Sequence, residues 1–372
     1  MNIAAALFRY FAFGGLQLDT MRIVTELLAR GHQVTLFVGA GGAEVPAHPG
    51  LTVESLPLKR WSNHARAEEF ARKFHAFADG KFDVTLAMNR IPGCDFYFAA
   101  DDCIVDEFLL RHSPLAIALL PRYRTFAKLE EQIFRPGGKT RILYIAERQK
   151  TAFIRRYATE EERFFALPPG IPEKYRHVRR DADEAAKVRR EFGIAPEEFL
   201  TLFVGSDFRR KGLDRAVRML AHLPGEERRS VRLLAVGAGR PEQVLPLIRQ
   251  YGLEDRVLFT GGRHDTERLF PAADLSILFS YSESAGGVIA ESLACGTPVL
   301  CTANCGFSTL ARDAGSEVVP EPWSDDAALA LFRQMRDHIG GYRAKAEAYA
   351  DRTDLFRRAA VAADLLERFV SR

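Results

Sequence analysis

Cysteine is scarce in this chain, and its five copies (Cys94, Cys103, Cys295, Cys301 and Cys305) are odd in number and never spaced as C-x-x-C. That excludes a disulfide framework and a structural zinc site of the common kind, and it fits a reducing cytoplasm. Long apolar runs are missing as well. No uninterrupted stretch reaches the length of a membrane span, and residues 115–120 fall far short. Residues 1–7 lack a charged start, and Arg9 interrupts the apolar run too early for a secretory leader. The expectation is a cytoplasmic protein, in solution or peripheral on the inner face of the cytoplasmic membrane. An excess of one charge is also lacking: 52 Lys and Arg against 49 Asp and Glu leave a net charge of +3. The arginine pairs Arg155-Arg156, Arg179-Arg180 and Arg228-Arg229 are scattered. A nucleic-acid binder is excluded on that balance.

What is present is apolar residue type, 47% of 372 residues, enough for two or three domains with proper cores. Residues 2–7 read as a strand, 13–16 as a tight turn, 16–30 as a helix ended by Gly31, and 34–38 as the next strand. This is a nucleotide-fold opening without G-x-G-x-x-G and without an acid ending the second strand, so a nicotinamide dehydrogenase is disfavoured. Gly14 and Gly15 serve either a simple turn or a close approach of ligand to backbone. Further strands are expected at 51–55, 84–88, 96–99 and 141–145, with helices at 65–78 and 123–134. Strands alternating with helices argue for a parallel sheet covered on both faces, with ligands at the strand C-terminal ends. Asn63-His64, Asn89-Arg90 and Asp101-Asp102 occupy such positions.

Pro168, Pro169, Gly170 and Pro172 make a stiff connector, after which the pattern restarts. A helix at 182–192 precedes a strand at 199–204, then Gly205-Ser206-Asp207-Phe208-Arg209-Arg210-Lys211-Gly212, then a helix at 213–220. A basic triplet in a strand-to-helix turn is placed to neutralise phosphates. Strands at 233–236, 257–259, 275–279 and 299–301 follow, and residues 349–369 read as one amphipathic helix after another at 325–338. Gly237-Ala238-Gly239 reads only as a turn. Two α/β halves are implied, the first ending at residue 168 and the second beginning at residue 173.

The second half is organised around residues 283–298, which read as the turn and helix after the 275–279 strand. Gly286 and Gly287 at the helix start let a ligand approach open N–H groups, which favour an anion. Glu283 and Glu291 would stand roughly 12 Å apart along a helix axis. That exceeds the roughly 5 to 9.5 Å of a glycosidase carboxylate pair, so a hydrolase is disfavoured. The spacing suits two hydroxyl-rich ends of one elongated ligand; a helix cap plus a solvated surface carboxylate is the open alternative.

Two other stretches carry charge patterns. Arg111, His112, Arg122, Arg124 and Lys128 surround the apolar block at 115–120 with no acid until Glu130. That composition suits either a surface touching anionic headgroups or an ordinary amphipathic helix. Asp181-Ala182-Asp183 spells the D-x-D of metal-dependent sugar-nucleotide enzymes, but acids at a helix start are favoured by the dipole, and no metal is expected.

These residues together resemble the retaining glycosyltransferases of the GT-B fold, the group 1 family with its E-x7-E stretch at Glu283 and Glu291. Residues 10–17, 89–93, 97–101, 205–212, 305–306 and 349–351 are similar to the subgroup of bacterial lipopolysaccharide core enzymes that glucosylate inner-core heptose. The resemblance implies two Rossmann-like domains facing across a cleft, residues 1–168 and 173–351, with a C-terminal helix at 352–372 crossing back to complete the first. It implies that Glu291 holds the ribose hydroxyls, while Glu283 with Gly286 and Gly287 holds the donor sugar. Arg210 and Lys211, beside Gly205 and Ser206, would neutralise the diphosphate of a UDP-sugar, with Gly14 and Gly15 approaching it. Asp19 and Asp101 would lie near donor or acceptor, and Asn63, His64, Asn89 and Arg90 on the acceptor side. No cofactor beyond the nucleotide-sugar substrate is implied. Phe307, Thr309 and Ala146 depart from the subgroup pattern, which bears on the acceptor and not on the donor class. A sugar-nucleotide epimerase and a non-catalytic sugar-binding protein remain compatible with the same residues.

Overall fold

The computed structural model describes residues 1–12, 14–110 and 112–370. Phe13 of the first turn, Arg111 of the basic stretch, and Ser371 and Arg372 of the expected C-terminal helix lie outside the described residues. The chain forms two compact units, Met1–Gly170 with Arg357–Arg372, and Ile171–Phe356.

The first unit contains β1 (Asn2–Leu7), β2 (Gln33–Val38), β3 (Leu51–Ser55), β4 (Val84–Ala87), β5 (Phe96–Ala99), β6 (Arg141–Tyr144) and β7 (Phe164–Ala166). They pair in parallel in the order β3-β2-β1-β4-β5-β6-β7. Central strands are apolar on both faces because helices cover both: Ile3, Ala4, Ala5 and Ala6 of β1 have no exposed surface. The second unit contains β8 (Phe199–Val204), β9 (Val231–Val236), β10 (Val257–Gly261), β11 (Leu275–Leu278), β12 (Val299–Thr302) and β13 (Glu317–Val319), in the parallel order β10-β9-β8-β11-β12-β13. Alternate residues feed opposite faces: Leu234 and Val236 of β9 join one core cluster, while Val231, Leu233 and Ala235 join the other.

In each unit the strand order reverses once, between β1 and β4 and between β8 and β11. The crevices beyond the C-terminal ends of those strands are where such sheets bind ligands.

Three sequence expectations are corrected. The helix expected from 65 spans Asn63–Ala78, so Asn63 and His64 are first-turn helical residues and not loop residues. The single helix expected at 349–369 is two, Ile339–Arg352 and Arg358–Val370. Between them the Asp354 carboxylate accepts the Phe356 N–H at 3.0 Å, a local turn that competes with helix continuation. β7 and β13 escaped sequence reading because three residues carry too little pattern.

Candidate active site

The second unit builds its site from the loops that leave β8 and β11. After Val204 the chain turns through Gly205, and the Asp207 side chain and carbonyl accept the N–H groups of Arg210 (3.1 Å) and Lys211 (2.9 Å). Gly212 then adopts φ +74, where a Cβ would stand 2.0 Å from the Phe279 carbonyl oxygen, and starts the helix Leu213–Ala221. The two loops are joined by the Tyr281 N–H, which donates to the Arg210 carbonyl at 2.9 Å. Arg210 also donates to the Ser282 carbonyl and the Glu283 carboxylate, each at 2.9 Å, and Lys211 Nζ lies 3.6 Å from the same carboxylate oxygen. The residues expected to face a diphosphate and a sugar thus converge at the β8/β11 switch point.

Buried Arg215 supports this loop from below, donating to the Phe279 and Ser280 carbonyls at 3.3 and 3.4 Å and stacking 3.9 Å from the Tyr281 ring centre. Glu283 is fixed from the other side, its N–H donating to Asn304 and its carbonyl accepting from Gly306 at 3.0 Å. Gly286, at φ +85, caps the helix Gly287–Ala294, and a Cβ on Gly287 would meet nothing within 4 Å, leaving space for a ligand at that helix start.

Glu291, the fifth residue of that helix, belongs to a different neighbourhood. Burial pushes the Cys295 thiol up to about 12, with the Glu291 charge adding to the rise. Burial and the same carboxylate raise the Tyr175 hydroxyl, which meets Thr266 Oγ1 at 2.6 Å.

Sequence reasoning missed one component here. The loop after β9, read only as a turn, packs on Gly205 and Ser206: a Cβ on Gly237 would stand 2.2 Å from the Gly205 carbonyl oxygen, and Ala238 N–H donates to Ser206 Oγ at 3.3 Å. Its G-x-G spacing beside the neighbouring strand was the available signal.

In the first unit, Asn89 Oδ1 accepts the Phe8 N–H at 2.7 Å and so ties the C-terminal ends of β4 and β1 together. Gly14 caps the helix Gly15–Ala29; a Cβ on Gly14 would overlap Gln17, and one on Gly15 would meet nothing within 4 Å. Asp101, after β5, is exposed and stands 3.5 Å from Arg90. Arg90 itself, expected on the acceptor side, is turned inward: it donates to the Glu130 carboxylate at 2.9 Å and the Asp102 carbonyl at 2.8 Å. Glu130, fully buried, also accepts from the Ile104 N–H at 2.9 Å and the Tyr157 hydroxyl at 2.8 Å. Burial is the main cause, and Glu130 the next, of a strongly raised Tyr157 hydroxyl.

Asp19 is likewise committed to structure, its carboxylate oxygens taken by Arg22 at 3.2 Å and Arg358 at 2.7 Å. Asn63 and His64 follow the edge strand β3, separated from β4 in the sheet by β2 and β1, and His64 Nε2 contacts Ser62 Oγ at 3.2 Å. Among the departing positions, Phe307 donates its N–H to Ala285 at 2.6 Å beside the Glu283 loop, Thr309 is exposed, and Ala146 precedes the helix Glu147–Tyr157. Asp181 caps the helix Ala182–Glu191 by accepting the Glu184 N–H at 2.9 Å. Among the described residues, no group of three or more His, Cys, Asp and Glu side chains is placed to hold a metal.

Comparison with known proteins agrees with this geometry. Residues 184–352 match the family model of group 1 glycosyl transferases. The lipopolysaccharide glucosyltransferase WaaG of Escherichia coli K12 is 34% identical over 371 residues, covering 98% of each chain. The D-inositol 3-phosphate glycosyltransferase of Nocardia farcinica is 28% identical over 90% of this chain and 81% of its own. A crystal structure of WaaG superposes with a TM-score of 0.87 over 98% of this chain and 99% of its own, at 34% identity. Anabaena HepE in complex with UDP and glucose shares the fold, with a TM-score of 0.76 at 18% identity over 100% of this chain and 99% of its own. Two parallel-sheet Rossmann-like units of the GT-B fold, as expected from the sequence, are what these likenesses share.

Proposed function

The chain belongs to the group 1 glycosyltransferases, and from that premise we propose that it moves glucose from UDP-glucose to a cell-envelope glycan, such as the heptose of the lipopolysaccharide core. The observation that carries this reading is the meeting of Arg210, Lys211 and Glu283 at the β8/β11 switch point, beside the open start of the Gly287–Ala294 helix. Two cations and a set of helix N–H groups suit a diphosphate. The leaving group is a nucleoside diphosphate, so the main catalytic task is to stabilise the charge that grows on it. Lys211 and Arg210 supply that charge without a metal. An arriving diphosphate competes with Glu283 for both cations, which releases the carboxylate towards the sugar hydroxyls. The departing phosphate oxygen takes the proton of the attacking acceptor hydroxyl on the same face, so the anomeric configuration is retained. Glu291 holds the ribose, and Asp101 serves the acceptor.

The acceptor is a membrane glycolipid or its glycan, and the first unit has a matching surface. Leu110, Leu115, Leu119 and Leu120 are exposed together with Arg122, Arg124 and Lys128, a composition that suits an anionic membrane face. Among the described residues, no helix is long and apolar enough to cross a membrane.

The test is transfer from UDP-glucose to a heptose-containing core acceptor. Lys211→Ala is expected to lower turnover about 100-fold, the scale of removing one transition-state donor, while Glu291→Ala weakens UDP binding in a titration. A Lys211→Ala change under about threefold would remove the diphosphate assignment.

A further inference from the structure

At the opposite end of the first sheet, where the chain enters β5 and β6, lies a groove of about 880 Å³. Its lining includes Arg135, Lys139 and Arg141, with His75, Asp95 and Phe369. We infer that this groove is a binding site for a phosphate ester, separate from the diphosphate site of the second unit.

Among the described residues, Arg135, Lys139 and Arg141 take part in none of the ion pairs that occupy Arg22, Arg30, Arg90, Arg148 and Arg163 of the same unit. The one acid in the lining, Asp95, is held by Thr85, whose N–H and Oγ1 donate to its Oδ2 at 2.9 and 2.8 Å, and it offsets only one of the three positive charges. Three cations against one occupied carboxylate make an anion trap.

The wall that carries those cations is built. Arg163, 8% exposed, donates to the carbonyls of Thr140 (3.0 Å), Arg135 (2.9 Å) and Ile133 (2.5 Å), and thereby locks the backbone between the helix Pro121–Phe134 and β6. Arg141 is held by stacking, its guanidinium 4.1 Å from the Phe369 ring centre and 5.8 Å from that of Phe96. A guanidinium already ordered gives up little further freedom on binding, and its planar fork matches phosphate oxygens in pairs. The groove has room for more than a lone inorganic ion and falls within the range of small-molecule sites, so it accommodates an esterified phosphate.

Such a group can come from solution or from a lipid headgroup. The helix Pro121–Phe134 follows the exposed leucines in the chain, carries exposed Arg124 and Lys128, and ends at Arg135 of the groove.

The experiment compares wild type, Arg141→Lys, Arg135→Ala/Lys139→Ala and Lys211→Ala. Glycerol 3-phosphate is titrated calorimetrically at fixed ionic strength, and vesicles of phosphatidylglycerol are titrated against vesicles of phosphatidylcholine. Arg141→Lys keeps the charge and loses the fork, so a specific site separates from a diffuse field. If glycerol 3-phosphate binds wild type and Lys211→Ala alike, and fivefold or more weaker to Arg141→Lys, the groove takes free esters. If only phosphatidylglycerol vesicles bind, with the same fivefold loss in Arg141→Lys, the ligand is the headgroup. The double variant, at exposed positions outside the core, must lose the same probe. Equal binding by wild type and Arg141→Lys, or no binding of either probe, overturns the assignment.

Discussion

Lys211 reaches Glu283 by passing over a residue that has no side chain. A Cβ on Gly205 would stand 2.2 Å from Lys211 Cδ and 3.2 Å from its Nζ. The clash is with a flexible stem, but Gly205 also sits at φ +159, where an L side chain is strained, so Gly205→Ala is expected both to displace the ammonium and to lower stability. Small misplacements of a catalytic group cost on the order of tenfold to 100-fold in rate. The expected result is a turnover loss of roughly tenfold or more, measured at a temperature where the variant is still folded, together with a lowered unfolding midpoint, read from kinetics and calorimetry on one preparation. Full activity would mean that the position of Lys211 does not matter. Arg210, Lys211 and Glu283 can be singled out in sequence because a basic triplet and an acid beside paired glycines stand out in the turns that lead from strand to helix. Arg90 follows β4 in the same way, and Asp19, inside the helix Gly15–Ala29, is suggested only by the family resemblance; both are committed to structure, because their partners Glu130 and Arg358 lie 40 and 339 residues away. Nothing local distinguishes a carboxylate awaiting a ligand from one answered by a distant arginine.

Legibility at the level of elements followed length and period. The central strands and the long helices were readable because their apolar residues repeat over a turn or more. The leucine helix Pro114–Leu119 shows what pattern alone cannot decide. The same composition was compatible with a packed helix, yet Leu115 and Leu119 are exposed in the first unit and Ile117 is buried. Burying an exposed leucine is worth about 1.5 to 3 kcal/mol. A double Leu115→Ser/Leu119→Ser variant is therefore expected to weaken partitioning onto anionic vesicles by tenfold or more, with no loss of stability. Partitioning equal to wild type in a sedimentation assay would show that membrane contact, if it occurs, uses another surface.

On the scale of the whole chain, the return of the C-terminal helix to the first unit is fastened at its start by one arginine placed against the connector, and further along by Arg30, which pairs with Asp364 and Glu367. Arg358 donates its N–H to the Pro169 carbonyl at 3.2 Å and its Nε–H to the Pro168 carbonyl at 3.1 Å, while its Nη1 pairs with Asp19 at 2.7 Å. Gly170 permits this approach, since a Cβ there would stand 2.4 Å from Arg358 Cβ. The stiff proline connector was visible in sequence; the arginine that fastens it was not. Arg358 and Asp19 are both buried, so removing one partner leaves a poorly solvated charge, which typically costs about 3 to 5 kcal/mol. Arg358→Met is expected to destabilise the first unit on that scale, less whatever Arg22 supplies to Asp19 at 3.2 Å. Asp19→Leu/Arg358→Met removes both charges and should recover part of the loss, because an uncharged pair carries no desolvation debt. Urea unfolding of wild type, both single variants and the double variant measures this coupling directly. A double variant no more stable than Arg358→Met would mean that the helix is held by its apolar face, with Ala362, Ala363 and Leu366 in the core, and not by the ion pair.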